Sequence, residues 1–317
     1  MMMRTLLVLF TILAVGFAAP APAVATAAPA DSTSSTSLPT CFPRAAIDRM
    51  VAYIRTQQQP DGSFPGIGQS STADAVYALV ASGVDPSRVT NNGNSAIDFI
   101  YSQTGNLQST GVAAKFLLAL VLARRSTVAP NGFDYVARVR DAFDPATGVF
   151  DPNPTGNYYS LIALRAAGQR VPALALRVAA AAQQADGGWP SGDPPGNSDT
   201  NTTSVAMVAL IVNGRTAPIP AALRYLRTQV APEGGFTFST VFGNESDANS
   251  TGLSTVALLA ARQDLRNFES GGVDPVERLR QLQNPSGAFR FSDSFPGDNA
   301  FATYQAGQAA GLTRCTR

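Results

Sequence analysis

Residues 183–214 read QQADGGWPSGDPPGNSDTNTTSVAMVALIVNG. The stretch has three parts. A helical run closes on Gln183 and Gln184 and enters a tight turn, Gly187-Gly188-Trp189. A polar, acidic loop follows. An apolar helix then begins near Thr203 and stops at Gly214, a residue that accepts the left-handed conformation ending many helices.

The same unit recurs outward in both directions. Its Gly-x-aromatic step returns as Gly62-Ser63-Phe64, Gly148-Val149-Phe150, Gly234-Gly235-Phe236 and Gly287-Ala288-Phe289, with a degenerate copy at Gly105-Asn106-Leu107. The six copies stand 39 to 53 residues apart, the period of a supersecondary unit that must stack on its neighbours to bury its apolar face. A helix precedes each anchor. Residues 45–58 carry Ile47, Met50, Val51 and Ile54 on one face, and residues 172–184, 220–229 and 275–283 each open with proline, which suits a first helical turn. Gln58, Gln103, Gln184, Gln229 and Gln283 fall near the helix ends. A second helix follows each loop, with Thr72, Thr110, Asn157, Thr203 and Thr251 at the expected N-caps and Ala300 as the exception. Nothing in the repeats alternates as a strand would. The pattern predicts an all-α chain of six helical hairpins.

Composition bounds the function. Apolar residues make up 45%, enough for a sizeable core, and the formal charge is +1, which argues against nucleic-acid binding by bulk electrostatics. The sequence holds no histidine, and this removes Ser-His-Asp triads, Cys-His dyads and HExxH zinc sites. Residues 1–30 read as a signal peptide: Arg4 supplies the positive start, residues 5–19 the apolar core, and Ala-x-Ala cleavage candidates follow. Residues 31–41 form a Ser/Thr-rich linker and residues 42–317 the repeat domain. A secreted, extracellular monomer with no stable membrane span after signal cleavage is expected.

Cys41 and Cys315 are the two cysteines, and they bracket the repeats. In an oxidising compartment they should pair. A disulfide between the first and last repeats requires those repeats to be neighbours, so the six hairpins close into a ring rather than an open solenoid.

The Gln…Asp-Gly-Gly-Trp stretch with its paired helix resembles the repeats of the squalene cyclase and protein prenyltransferase superfamily, and the likeness covers about residues 42–314. It implies an α6/α6 toroid, six inner helices ringed by six outer ones, with the second helix of each hairpin inside. The residues 198–210, SDTNTTSVAMVAL, are also similar to inner-helix starts in the cobalamin carriers of this fold. The family's catalytic groups do not carry over. The prenyltransferase zinc site needs Cys and His that this chain lacks. The nearest match to the Asp-x-Asp-Asp motif of protonating cyclases is Asp199-Thr200-Asn201-Thr202, where an amide replaces the proton donor. The DDxxD metal motif and the Cys-Gln thioester pair do not occur.

Two features remain for a site. With the second helices aligned on their expected caps, columns one, five and eight vary in character and hold Tyr77, Lys115, Tyr158, Arg165, Phe301, Gln305 and Gln308, so this face is expected to line a lumen. The loops hold Asp151, Asp193, Asp199, Glu245, Asp247, Asp293 and Asp298 against Arg290, and they should gather at one mouth. SD-x-N-[ST]-T occurs twice, at Asp199/Asn201 and Asp247/Asn249. The duplication reads either as helix capping or as oxygen ligation of a cation such as Ca²⁺. The expected ligand-binding set is Asp199, Asn201, Asp247, Asn249, Asp298, Tyr77, Tyr158, Trp189, Phe301 and Gln305, with no metal or cofactor assigned. The expected function is a non-catalytic module binding a small molecule, glycan or lipid at the mouth and lumen. The alternatives are a terpenoid cyclase or prenyltransferase-type enzyme, a glycan-cleaving toroid using Asp199 and Asp247 as its carboxylate pair, and a surface scaffold.

Overall fold

A computed structural model describes residues 41–192 and 196–316. The signal segment, the linker up to residue 40 and Asp193 lie outside the described residues. Twelve α-helices are found among those described. The first helix of each hairpin is α1 (Arg44–Thr56), α3 (Ala96–Ser102), α5 (Tyr135–Arg140), α7 (Ala173–Ala181), α9 (Ile219–Thr228) and α11 (Pro275–Leu282). The second is α2 (Ser71–Ala81), α4 (Thr110–Leu122), α6 (Pro154–Ala166), α8 (Thr200–Val212), α10 (Ala248–Ala260) and α12 (Ala300–Leu312). The only other regular pairings among the described residues are three two-residue hairpins and isolated bridges, so the chain is all-α.

The even helices pack on one another in sequence, and α12 returns to α2. They are the inner ring. Their residues are buried nearly all round, as the apolar composition of α4 (TGVAAKFLLALVL) requires, whereas α1 buries only the stripe Ala46, Ile47, Met50, Val51 and Ile54. Close approach is bought with small residues: a Cβ on Gly252 would lie 2.8 Å from the Ala306 Cα, and one on Gly311 2.5 Å from the Ala81 carbonyl carbon.

Three contacts close the ring. Cys41 and Cys315 form the expected disulfide, with Cα atoms 4.9 Å apart. The chain-entropy treatment gives about 5–6 kcal/mol for a loop this long, as an upper figure. The Phe42 N–H donates to the Thr313 carbonyl at 2.9 Å, and the Cys315 N–H donates back to Phe42 at 3.0 Å. Gln283 donates to the Ala46 carbonyl of the first hairpin at 2.9 Å and to its own turn at Gly287, 3.0 Å. Gln183 does the same between Gly187 and Pro218. The repeated glutamine thus ties each of these turns to the next hairpin. In the fourth repeat the tie is Gln183, while Gln184 bonds only locally.

The capping residues differ from expectation. The N-caps of α2, α4, α6, α8, α10 and α12 are Ser70, Ser109, Asn153, Asp199, Asp247 and Asn299. Thr72, Asn157, Thr203, Thr251 and Thr303 lie inside the helices, where each side-chain oxygen accepts the backbone N–H of the anchor aromatic: Phe64, Phe150, Trp189, Phe236 and Phe289, at 2.9–3.0 Å. These buried N–H groups need an acceptor, and a polar residue near the start of the helix supplies it. Thr110 is the first residue of α4 and makes no such contact with an anchor.

This latch resets the register of two repeats. Thr303, rather than Ala300, is the equivalent position in α12, and Ala113, four residues past its cap, is the equivalent in α4. The eighth residue beyond the latch is then Val80, Val121, Arg165, Ile211, Leu259 and Gly311, and the first five are half-buried on otherwise buried helices. Column five is mixed: Tyr77, Leu118 and Ile162 are buried, while Val208, Val256 and Gln308 are half-buried. Lys115, Gln305 and Phe301 leave those columns in the corrected register.

Candidate functional site

The loops of the last hairpins and the first meet over the N-terminal ends of the inner helices. There they form a pocket of about 510 Å³. Each supporting helix end is closed by its own cap. Asp199 accepts the Thr202 N–H at 2.7 Å, and Asn299 accepts that of Ala302 at 2.9 Å. Asp247 accepts both the N–H and the hydroxyl of Ser250, each at 2.7 Å. The aspartates of the duplicated SD-x-N motif therefore both cap their helices. Among the described residues no group of three or more His, Cys, Asp or Glu side chains is placed to hold a metal ion.

The asparagines of the motif are used differently. Asn201 and Asn249 both line the pocket, and the Oδ1 atom of each is buried without a hydrogen-bond partner. Asn249 is 5% exposed, and its Nδ2 donates to Gln305 Oε1 at 2.9 Å. Beside them Asp247, 4% exposed, is raised from 3.8 to about 6. Burial drives the shift, and the two Ser250 hydrogen bonds oppose it. Asp247 has no ion pair among the described residues. The nearest bases are engaged elsewhere: Arg278 donates to Ser246 Oγ at 2.9 Å and to Asp293 at 2.7 Å, and Arg290 donates to Asp293 at 2.7 Å.

The rest of the lining is apolar, with Ile67, Phe238, Phe291 and Phe301 as its main side chains. The apolar surface continues outside. Ile67 (74% exposed), Val241, Phe242, Phe291 and Phe295 (65%) are, apart from Val128, the large exposed apolar side chains of the described residues, and all stand on these loops. Phe242 packs on Phe238 and Phe295 on Phe291, with ring centroids 6.0 and 6.1 Å apart.

Of the residues expected from sequence, the pocket brings together Asn201, Asp247, Asn249, Asp298 and Phe301. Asp298 is exposed and accepts from Asn284 at 2.8 Å. Gln305 stands behind Asn249. Asp199 is buried outside the lining, and burial raises its carboxyl above the usual range. Trp189 is fully buried, its indole N–H donating to Ala179 at 2.9 Å, so it belongs to the wall between inner and outer rings. Tyr77 and Tyr158 are buried too, and the Tyr77 hydroxyl donates to the Lys115 carbonyl at 2.7 Å.

Lys115 itself is paired within the ring. Its Nζ lies 2.6 Å from Oδ2 of Asp74, a residue with no exposed surface, and 5.1 Å from the Tyr159 ring centroid. Burial raises the Asp74 carboxyl and the Lys115 ammonium pulls it back, with burial the stronger. Asp74 was not singled out from sequence, although the chain's single lysine on a buried helix called for a counter-charge. Phe238 and Phe291 were also missed. Their signal was an aromatic two residues past the anchor, present only in the last two repeats.

Solved structures share this architecture. A point variant of type II terpene cyclase MstE from Scytonema, in complex with its substrate geranylgeranyl dihydroxybenzoate, matches 85% of this chain and 96% of its own at 13% identity, with a TM-score of 0.59. Candida albicans protein geranylgeranyltransferase-I complexed with GGPP matches over 84% of this chain and 90% of its own, at 12% identity and a TM-score of 0.55. A protein from Actinoplanes matches at 17% identity and a TM-score of 0.55, over 85% of this chain and 98% of its own. The chain has the α–α toroid fold of the terpenoid cyclases and protein prenyltransferases. No protein-family model matches it, and no curated protein does.

Proposed function

We propose that this toroid is a secreted, non-catalytic ligand-binding module whose site is the mouth pocket between the fourth, fifth, sixth and first hairpins. The observation that carries the reading is Asn249. A side chain so buried normally has its oxygen satisfied, and here that oxygen has no partner, on a residue that lines a pocket large enough for a small ligand. The signal segment supports secretion. The test is a thermal-shift screen of the mature protein against amines, oligosaccharides, isoprenoid lipids and divalent metals. A ligand at a hundred times its dissociation constant adds about 2.7 kcal/mol. The shift should disappear in Asn249→Ala, and a ligand whose shift survives that change binds elsewhere.

A second reading is an enzyme that uses Asp247 as an acid, favoured by the elevation of that carboxyl to about 6. It requires a compound from the screen to be consumed, and consumption to stop in Asp247→Asn while binding persists.

A further inference from the structure

Several donors in the polar wall of the mouth pocket are already engaged. Asn249 Nδ2 is taken by Gln305, and both the N–H and the hydroxyl of Ser250 are taken by Asp247. Acceptors remain: the Oδ1 atoms of Asn201 and Asn249, and the Asp247 carboxylate without a counter-cation among the described residues. A group that satisfies this wall must bring N–H or O–H donors, and it gains most if it is also positive. The remaining lining points the same way. Phe238, Phe291 and Phe301 offer ring faces whose negative quadrupole attracts a cation, and Ile67 adds aliphatic surface.

The chain solves the same chemical problem once with its own residues. Inside the ring, the buried carboxylate of Asp74 is answered by the Lys115 ammonium lying against the Tyr159 ring. The mouth repeats two of those three parts, a buried carboxylate and aromatic rings, without a lysine.

We propose that the mouth pocket recognises a primary ammonium carried on an apolar body, a conclusion that rests on the ligand-binding reading above and names its ligand class. The N–H groups donate to Asp247, Asn201 and Asn249, and the apolar part lies against Ile67, Phe238 and Phe291. A primary ammonium has three donors and no acceptor, which suits the unpartnered amide oxygens and the carboxylate. A trimethylated ammonium keeps the charge but leaves both amide oxygens unsatisfied. A polyol brings donors but no positive charge to answer the Asp247 carboxylate. A Ca²⁺ ion takes six to eight oxygen ligands, and among the described residues no group of three or more His, Cys, Asp or Glu side chains is placed to hold a metal ion. The exposed apolar crown of Val241, Phe242 and Phe295 extends the surface available to the body beyond the pocket.

The experiment is isothermal titration of the mature protein with 2-phenylethylamine, 2-phenylethanol and N,N,N-trimethyl-2-phenylethylammonium. The expected result is one site for the amine, with affinity about tenfold or more above either analogue. Asp247→Asn keeps a capping oxygen for Ser250 and removes the charge. Its fold is checked by thermal unfolding, and it should weaken amine binding about tenfold or more. Asn249→Ala should also weaken it, and Arg44→Ala, on the outer ring, should not. Equal or tighter binding of the alcohol or the trimethyl analogue overturns the assignment, as does amine binding that Asp247→Asn leaves unchanged. If none of the three probes binds, the ammonium inference falls. The pocket reading falls with it only if the wider screen also yields no ligand sensitive to Asn249→Ala.

Discussion

Asp74 and Asp247 are both buried carboxylates on or at the end of an inner helix, and the ring treats them in opposite ways. Asp74 faces the lysine of the next inner helix and a tyrosine ring, so its charge is neutralised within the chain. Asp247 is held by hydrogen bonds from Ser250 and the Asn249 backbone, next to two unpartnered amide oxygens and under a crown of exposed phenylalanines. The first arrangement is complete and closes the ring's interior around itself. On the proposed reading, the second is completed by a ligand from outside. A buried carboxylate is thus not informative in itself. What distinguishes a structural one from a binding one is whether the chain supplies the counter-charge.

The largest effect should come from breaking the complete member of the pair. Lys115→Met strands Asp74 in the interior, and removing one partner of a buried ion pair costs about 3–5 kcal/mol. Urea unfolding should show that loss, and Asp74→Leu added to Lys115→Met should recover most of it. Full stability in the single variant would mean that the pair is not the counterpart described.

Asp247 should behave in the reverse sense. Its folded pKa lies above its unfolded one, so the folded chain holds the proton more tightly, and stability from this group is lost as the pH rises from about 4 through about 6. Asp247→Asn should therefore raise stability at pH 7, by up to about 3 kcal/mol for a shift of this size, and change little at pH 4. Thermal unfolding at the two pH values checks both halves. The gain should shrink when the wild-type protein is saturated with a bound amine.

The smallest effect belongs to Asp298, which lines the same pocket but is exposed. Asp298→Asn should leave stability within about 0.5 kcal/mol. It should lower amine affinity by less than about tenfold, because solvent screens an exposed charge. A larger loss than that of Asp247→Asn would move the centre of the site to the rim.

The repeat and the ring were legible in the sequence because both rest on strong local rules: a glycine turn at a fixed period, helical apolar spacing, and two cysteines at the ends of the repeats. The caps were misplaced because threonine serves two purposes in this fold. Thr203 and Thr251 look like N-caps, but the true caps are Asp199 and Asp247 four residues earlier, and the threonines satisfy the turn of their own hairpin. That error shifted the register of α4 and α12 by three residues and assigned Lys115, Gln305 and Phe301 to the wrong column. Trp189 marks the repeat best in sequence and is least available in the structure, since a large aromatic anchor fills space between the two rings. Asp74 could not be found by composition. Only the packing of α2 against α4 shows that it meets Lys115.

The most direct measurement is a crystal structure of residues 31–317 grown with 2-phenylethylamine. The ammonium nitrogen should lie about 3 Å from the Asn249 and Asn201 Oδ1 atoms and the Asp247 carboxylate, with the phenyl ring among Ile67, Phe238 and Phe291. Density for the amine elsewhere on the ring, with the mouth filled only by solvent, would contradict the assignment of the mouth as the site.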